Sequence, residues 1–301
     1  LSSLSYLLRT TEFELTEVRE LLGELIRSGV EVYEYCCDVF ALEQYGAVVN
    51  FNGRFVNVAA ISAAAEKFNI PVYLHERGAT DKTFKLTDFW PHDLFSMREF
   101  IASYWQLKYQ GSHADKVISD AKQILESRIS GDSSGRMNRF VEQETCGQDQ
   151  NLPDRFHLYL HSTEDEYFFV SKVRQPEWGT NQLKAIEKIL ACIAQDENLV
   201  VKLHPRYREL DVKQREPWTA LNQDPRITIL FPEQANVYDL IKKADRIYSF
   251  GTTAGIEAVY LGKMVVTLFD SFYADCPSVR NAFSSECLEK LRDTQWSVEP
   301  T

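Results

Sequence analysis

Lys202-Leu203-His204-Pro205-Arg206 closes one apolar run of this chain, and Ser249-Phe250-Gly251-Thr252-Thr253-Ala254-Gly255-Ile256-Glu257 closes another. Both runs read as buried parallel strands, Leu199 to Leu203 and Ile247 to Ser249, that stop at polar or basic residues. In an open parallel α/β sheet, ligands bind outside the carboxyl ends of the strands. Ala254 to Leu261 has the pattern of a helix, so Gly251, Thr252 and Thr253 form the turn that opens it, with either threonine able to cap. Backbone N–H groups and the positive end of the helix dipole then suit the turn to a phosphate.

On either side of these two runs, strand and helix patterns alternate. His157 to Leu160, Leu199 to Leu203, Arg226 to Leu230, Ile247 to Ser249 and Met264 to Phe269 read as strands. Asn181 to Ala194 and Val237 to Ala244 read as helices. This is the pattern of a doubly wound α/β lobe. Upstream, strand Ala47 to Phe51, an Ala-rich helix Phe55 to Phe68 and strand Pro71 to Leu74 form a parallel crossover unit. Glu14 to Arg27 is an amphipathic helix, while Val30 to Tyr45 fits either a helix or an irregular wall. Helices are expected at Asp93 to Gln106 and Ala114 to Ile129. The polar stretch from Gly131 to Pro153 is expected to be a mobile connection between lobes of about 1–152 and 153–301.

Composition sets limits on function. The chain has 301 residues, 44% hydrophobic and 26% charged, enough for two cores. Its net charge of −11 leaves no basic excess for a nucleic-acid partner. Cys36, Cys37, Cys146, Cys192, Cys276 and Cys287 show no CxxC pairing and no His at zinc spacing, so they read as reduced thiols of a cytoplasmic protein. No apolar run is long enough to span a bilayer, and no secretory signal is evident. The chain opens on Leu1 rather than Met, which reads as a fragment or a trimmed chain and leaves open that the first lobe is incomplete.

The candidate chemistry gathers at strand ends. In the second lobe Lys202, His204 and Arg206, with Ser249, Gly251, Thr252 and Thr253, could face one anion; Glu257 either bonds a ribose diol or lies solvated on its helix. In the first lobe Glu76 is the candidate general base, among His75, Arg77, Asn52 and Arg54, with Gly78 allowing close approach. Phe231-Pro232 could pack a nucleobase, and Trp178 either does the same or belongs to the core or the lobe interface. There is no Asp-x-Asp metal motif, dinucleotide fingerprint or Walker loop, so no metal and no cofactor is expected. Gly131-Asp132-Ser133-Ser134-Gly135 lacks the strand and helix a nucleophile elbow needs.

Glu76-Arg77-Gly78, His204-Pro205 and Ser249 with Thr252-Thr253 resemble the acidic-Gly, His-Pro and Ser/Thr motifs of bacterial capsule polysaccharide biosynthesis glycosyltransferases, in the group of Kdo and sialic-acid transferases. Asn52-Gly53-Arg54 and Gly251 to Lys263 share that likeness. The resemblance implies a GT-B-like fold of two Rossmann-like α/β lobes facing a cleft. It implies a metal-independent transfer, inverting as the simpler outcome, from a nucleotide sugar (a CMP-sugar favoured) to a glycan acceptor, lipid-linked or free. Glu76 would be the base, His204 a phosphate ligand or acid, and Ser249, Thr252 and Thr253 phosphate ligands. Peripheral attachment at the inner face of the cytoplasmic membrane is compatible with it. Arg77 stands where a second acid is usual, which keeps open a CDP-glycerol or CDP-ribitol type phosphotransferase. A non-catalytic nucleotide-sugar-binding subunit is the other alternative.

Overall fold

The computed structural model describes residues 1–78, 82–108, 112–131, 152–163 and 175–292. The Gly-Ser run from 132 on, Cys146 and most of the expected connection lie outside the described residues. Two compact units form, one built on Leu1–Ser103 and one on Tyr104–Thr163 with the described residues from 175 on. The boundary therefore falls earlier than the expected residue 152. A helix at Ser112–Ser130 goes with the second unit, to which Arg128 and Glu126 tie it through Glu257 and Tyr260.

In the first unit α1 (Ser2–Leu8) and α2 (Arg19–Leu42) precede β1 (Val48–Phe51), α3 (Val56–Lys67), β2 (Val72–Arg77) and β3 (Phe84–Thr87); α4 (Leu94–Lys108) follows. The ambiguous stretch after Val30 is helical because α2 continues along α3, and the two cross closely at buried Gly29. A Cβ there would lie 2.7 Å from Val56 Cγ2. β1 and β2 pair in parallel, as the crossover pattern predicts, and β3 adds antiparallel with Glu76 opposite Lys85. One sheet face takes α3, where Asn50 Nδ2 donates to Ser62 Oγ at 3.2 Å. On the other, Val49, Phe51, Tyr73, Phe84 and Leu86 are exposed.

The second unit opens with α5, the helix at Ser112–Ser130, and then alternates β4 (His157–Leu160), α6 (Gln182–Cys192), β5 (Leu199–Lys202), α7 (Val212–Ala220), β6 (Ile227–Leu230), α8 (Val237–Lys243), β7 (Arg246–Ser249), α9 (Thr253–Tyr260), β8 (Val265–Thr267), β9 (Val279–Asn281) and α10 (Ser285–Arg292). All six strands are parallel, in the order β6-β5-β4-β7-β8-β9. Strands buried on both faces need apolar runs, and Leu158, Val200, Ile247 and Val265 are fully buried. Side-chain caps fix where the helices start: Asn181 accepts from Lys184 N, Asn236 from Tyr238 N, and Asp211 with Gln214 makes a capping box. Chain direction across the sheet reverses between β4 and β7, and such a switch point opens a crevice at the carboxyl ends of those strands.

Candidate active site

At that switch point the exits of β5, β4 and β7 lie side by side. His204 leaves β5, His161 leaves β4, and the Gly251-Thr252 turn leaves β7. His161 is not singled out by the sequence, yet it sits between the other two. Its backbone N–H donates to Lys202 O at 3.1 Å, and its Nδ1 accepts from His204 N at 3.1 Å. Gln182 fixes the same exit, since its Oε1 accepts from Ser162 N and its Nε2 donates to Ser162 O. His204 Nδ1 in turn accepts from Arg206 N at 3.2 Å. Each imidazole is thus held neutral with its proton on Nε2.

Burial lowers both histidines, His161 to about 3, with His204 adding to the effect, and His204 to about 4, where Glu209 opposes and Lys202 assists. A folded-state value below the ordinary 6.5 means that the unfolded chain binds the extra proton first. Stability is complete above the unfolded value and is lost as pH falls from about 6.5 toward about 4. The thermal midpoint should drop across that window. It should drop less steeply in His161→Asn, whose amide oxygen can still accept from His204 N without titrating.

The expected anion ligands divide. Lys202 is buried and its Nζ donates to Pro232 O at 2.6 Å and Phe231 O at 3.3 Å, so the ammonium braces the β6 exit instead of facing the crevice. Arg206 pairs with Glu209 at 3.4 Å. Ser249 lies beneath the turn and is fully buried. Its Oγ accepts from Thr252 N at 3.2 Å and donates to Tyr273 OH at 2.9 Å, and that hydroxyl donates to Thr252 O at 2.7 Å. This ring shapes the turn, and Gly255 is the residue that admits the tyrosine, because a Cβ there would collide with its hydroxyl. Ser249 is therefore a scaffold for the turn, not a ligand on it. Ser249→Ala should cost about 1–3 kcal/mol by leaving buried polar partners unmatched, read as a lower thermal midpoint.

What remains on the turn is Gly251, at φ 77° and with space for a Cβ closed off by Asp270 O, followed by Thr252 and Thr253. Thr252 is the N-cap residue of α9 but makes no side-chain cap; its buried Oγ1 has no partner among the described residues. Helix geometry leaves the amides of Thr253 and Ala254 without intrahelical carbonyls. Glu257, one turn along, is 2% exposed and pairs with Arg128 at 2.6 Å, so it is neither solvated nor turned to a ribose. Trp178 is likewise internal and donates to Leu268 O at 2.8 Å. Phe231 and Pro232, by contrast, line a cavity of about 570 Å³ with Tyr207, Arg208 and Glu233 at the carboxyl ends of β5 and β6.

The first unit carries its own cluster. β2 runs on to Arg77, past its expected end at Leu74, so side-chain alternation puts Glu76 on the Leu74 face and His75 and Arg77 on the other. His75 packs edge-on against Phe51 at 5.3 Å between ring centres. His75 and Arg77 are therefore separated from the carboxylate they were expected to join. Glu76 Oε2 accepts from Asn52 Nδ2 at 2.6 Å, and Oε1 accepts from Arg77 N at 2.9 Å. Asn52 and Gly53 both have positive φ, 65° and 87°, and this sharp exit from β1 aims the asparagine amide at β2. His92 joins them, with Nδ1 3.3 Å from Asn52 Nδ2. Burial and the nearby Arg54 lower His92 to about 4, while Glu76 works against the shift. Arg54 is buried with its guanidinium 4.7 Å from the Phe55 ring centre. Among the described residues no group of three His, Cys, Asp or Glu could hold a metal ion.

Residues 173–276 match the capsule polysaccharide biosynthesis protein family. That capsule-family segment contains Lys202, His204, Arg206 and the whole stretch from Ser249 to Glu257, whereas Asn52, Glu76, His92 and His161 lie before it. The chain is also 36% identical over 78 residues to protein FixF of Sinorhizobium fredii (strain NBRC 101917 / NGR234), a match that covers 26% of this chain and 17% of FixF. Its fold is similar to that of the Thermosulfurimonas dismutans KpsC beta Kdo 2,7 transferase, with a TM-score of 0.52 at 13% identity over 93% of this chain and 87% of that one. The KpsC beta Kdo 2,4 transferase of the same organism gives 0.50 at 15% identity over 82% and 78%. The expected likeness to capsule-synthesis proteins is thus found over residues 173–276, and the expected GT-B class of two α/β units is found in the fold. No helix among the described residues is long and apolar enough to cross a membrane.

Proposed function

We propose that the protein is a glycosyltransferase of surface-polysaccharide synthesis that moves a sugar from a nucleotide sugar, preferably a CMP-sugar, to a hydroxyl of a glycan acceptor. One observation carries the reading: at the switch point of a fully parallel sheet, three neighbouring strand exits carry two neutral imidazoles and a helix N-terminus whose N-cap threonine hydroxyl has no partner among the described residues. In this reading the donor phosphate sits on the amides of Thr253 and Ala254, with Thr252 Oγ1 and His204 Nε2–H as hydrogen-bond donors. A neutral His204 acts as a donor at ordinary pH, and its expected acid role recedes because burial keeps it unprotonated. The nucleobase fits the cavity beside Phe231, where an aromatic face is worth about 1–3 kcal/mol to a stacked base.

Glu76 serves the acceptor. Its carboxylate takes the proton of the attacking hydroxyl as the oxygen bonds to the anomeric carbon and the nucleotide leaves with the old bonding pair. One base and one leaving phosphate fit inversion, and no step calls for a metal. The work belongs on the cytoplasmic side, where nucleotide sugars are made, with a lipid-linked glycan at the membrane face as a suitable acceptor.

A thermal-shift panel of CMP, CDP, UDP and GDP tests the donor site. A ligand at about a hundred times its Kd adds roughly 2.7 kcal/mol to the folded state. The cytidine nucleotides should raise the midpoint most. An unchanged midpoint with all four would overturn the reading.

A further inference from the structure

The cluster around Glu76 contains a residue that none of the expected roles uses. His92 stands in the loop between β3 and α4, and its imidazole and the Glu76 carboxylate are both within reach of one atom, Asn52 Nδ2, at 3.3 and 2.6 Å. A side-chain amide nitrogen carries two hydrogens, and two acceptors use both. Glu76 Oε2 takes one and, in the tautomer with its proton on Nε2, His92 Nδ1 takes the other, while Asn52 Oδ1 accepts from Arg54 N at 3.4 Å.

We propose that His92 is a positioning residue for Glu76: by accepting at Nδ1 it fixes which way the Asn52 amide faces, and so keeps an N–H on the carboxylate.

The physical reason lies in the symmetry of the amide. Asn52 could rotate half a turn about its last side-chain bond at little cost in shape, but its oxygen would then stand against a carboxylate oxygen. An acceptor at His92 Nδ1 penalises that rotamer, because it too would meet the amide oxygen. A proton on His92 Nδ1 would reward it. The groups that act on the ring keep it neutral: burial and Arg54 from the β1 exit disfavour the imidazolium, as does Lys85 from β3, and only Glu76 from β2 favours it. In the neutral ring, contact with an amide nitrogen, which can only donate, places the proton on Nε2. Asn52 itself is 4% exposed and held at φ 65°, so its backbone does not adjust to compensate. A general base works only when its lone pair is aimed at the acceptor hydroxyl, and a misplacement of about 1 Å can cost on the order of a hundredfold in rate.

The inference rests on Glu76 being the base, but its first test does not. In the full chain labelled with ¹⁵N-histidine, His92 should show a protonated Nε2 and a bare, hydrogen-bonded Nδ1 from pH 8 to pH 5. Asn52→Gly, which tolerates the positive φ and removes only the amide, should move the Nδ1 resonance toward that of a nitrogen without a donor. A proton on Nδ1, or a resonance that ignores Asn52→Gly, overturns the proposal whatever the protein catalyses.

The second test is transfer. His92→Asn places an amide oxygen where Nδ1 stood and should keep kcat within about threefold of the wild type. His92→Leu should lower kcat about 10- to 100-fold with the acceptor KM and the nucleotide thermal shift unchanged. If Glu76→Gln abolishes transfer while His92→Leu retains it, the positioning role is wrong and the base stands. If Glu76→Gln transfers normally, the base assignment is the part that fails.

Discussion

Glu76→Gln is expected to lower kcat for transfer by about 10²- to 10⁴-fold, the range that a positioned general base supplies, while leaving nucleotide binding intact. The substitution is nearly isosteric. The amide that replaces the carboxylate can still offer its oxygen to Asn52 Nδ2 and so keep the 2.6 Å contact, at the loss of the exposed bond from Arg77 N. What disappears is the ability to take a proton. A loss confined to kcat, with the acceptor KM and the cytidine-nucleotide thermal shift unchanged, identifies chemistry rather than binding. Thr252→Val should give the opposite signature, a weakened nucleotide shift that a saturating donor partly recovers, because Thr252 Oγ1 is assigned to the donor phosphate. If both variants lost nucleotide binding together, the separation of acceptor chemistry from donor binding would be wrong.

Parallel strands buried on both faces must read as apolar runs, and the exits of β4, β5 and β7 are marked by the first polar residues after them, so the α/β class and the carboxyl-end side of the sheet are legible in the sequence. Other features depend on partners far along the chain. His161 looks like any residue after a strand, and only the pairing of β4 between β5 and β7 makes it the neighbour of both His204 and the Thr252 turn. His92 lies in a short loop without periodicity, and its meaning comes from Asn52, forty residues earlier. The extension of β2 to Arg77 follows from β3, whose antiparallel pairing gives Glu76 and Arg77 ladder partners, and no local pattern announces that. α7 is hidden by Pro217 inside it, although the Asp211–Gln214 capping box is a signal that could have found its start. Lys202 and Ser249 depart from expectation for one reason. A polar side chain at a strand exit can turn inward as easily as outward, and here carbonyls of the β6 exit and the Tyr273 hydroxyl claim them first.

Arg128→Met is expected to destabilise the second unit by about 3–5 kcal/mol, because it strips the partner from a buried carboxylate. Glu257 is 2% exposed, and Arg128, at 19%, reaches it from α5 at 2.6 Å. An ion pair this far out of water gains little net energy from its existence, but leaving the inner charge alone exposes the full desolvation cost. The reverse substitution is milder for the same reason. In Glu257→Gln the arginine left behind can turn toward solvent, and the amide remains beside the Tyr238 phenol, which burial and the neighbouring carboxylate hold above its ordinary value. The double variant Arg128→Met with Glu257→Met removes both charges and should recover most of the loss, so the two changes are far from additive. Thermal midpoints separate these cases: at roughly 2–4 °C per kcal/mol for a unit of this size, Arg128→Met alone should fall by about 10 °C. A fall of less than about 2 °C would mean that Glu257 finds other partners and that α5 is not locked to α9 through this pair. Since α9 also presents the Thr252 turn, the same variant should weaken the cytidine-nucleotide thermal shift, and the double variant should restore it along with the fold.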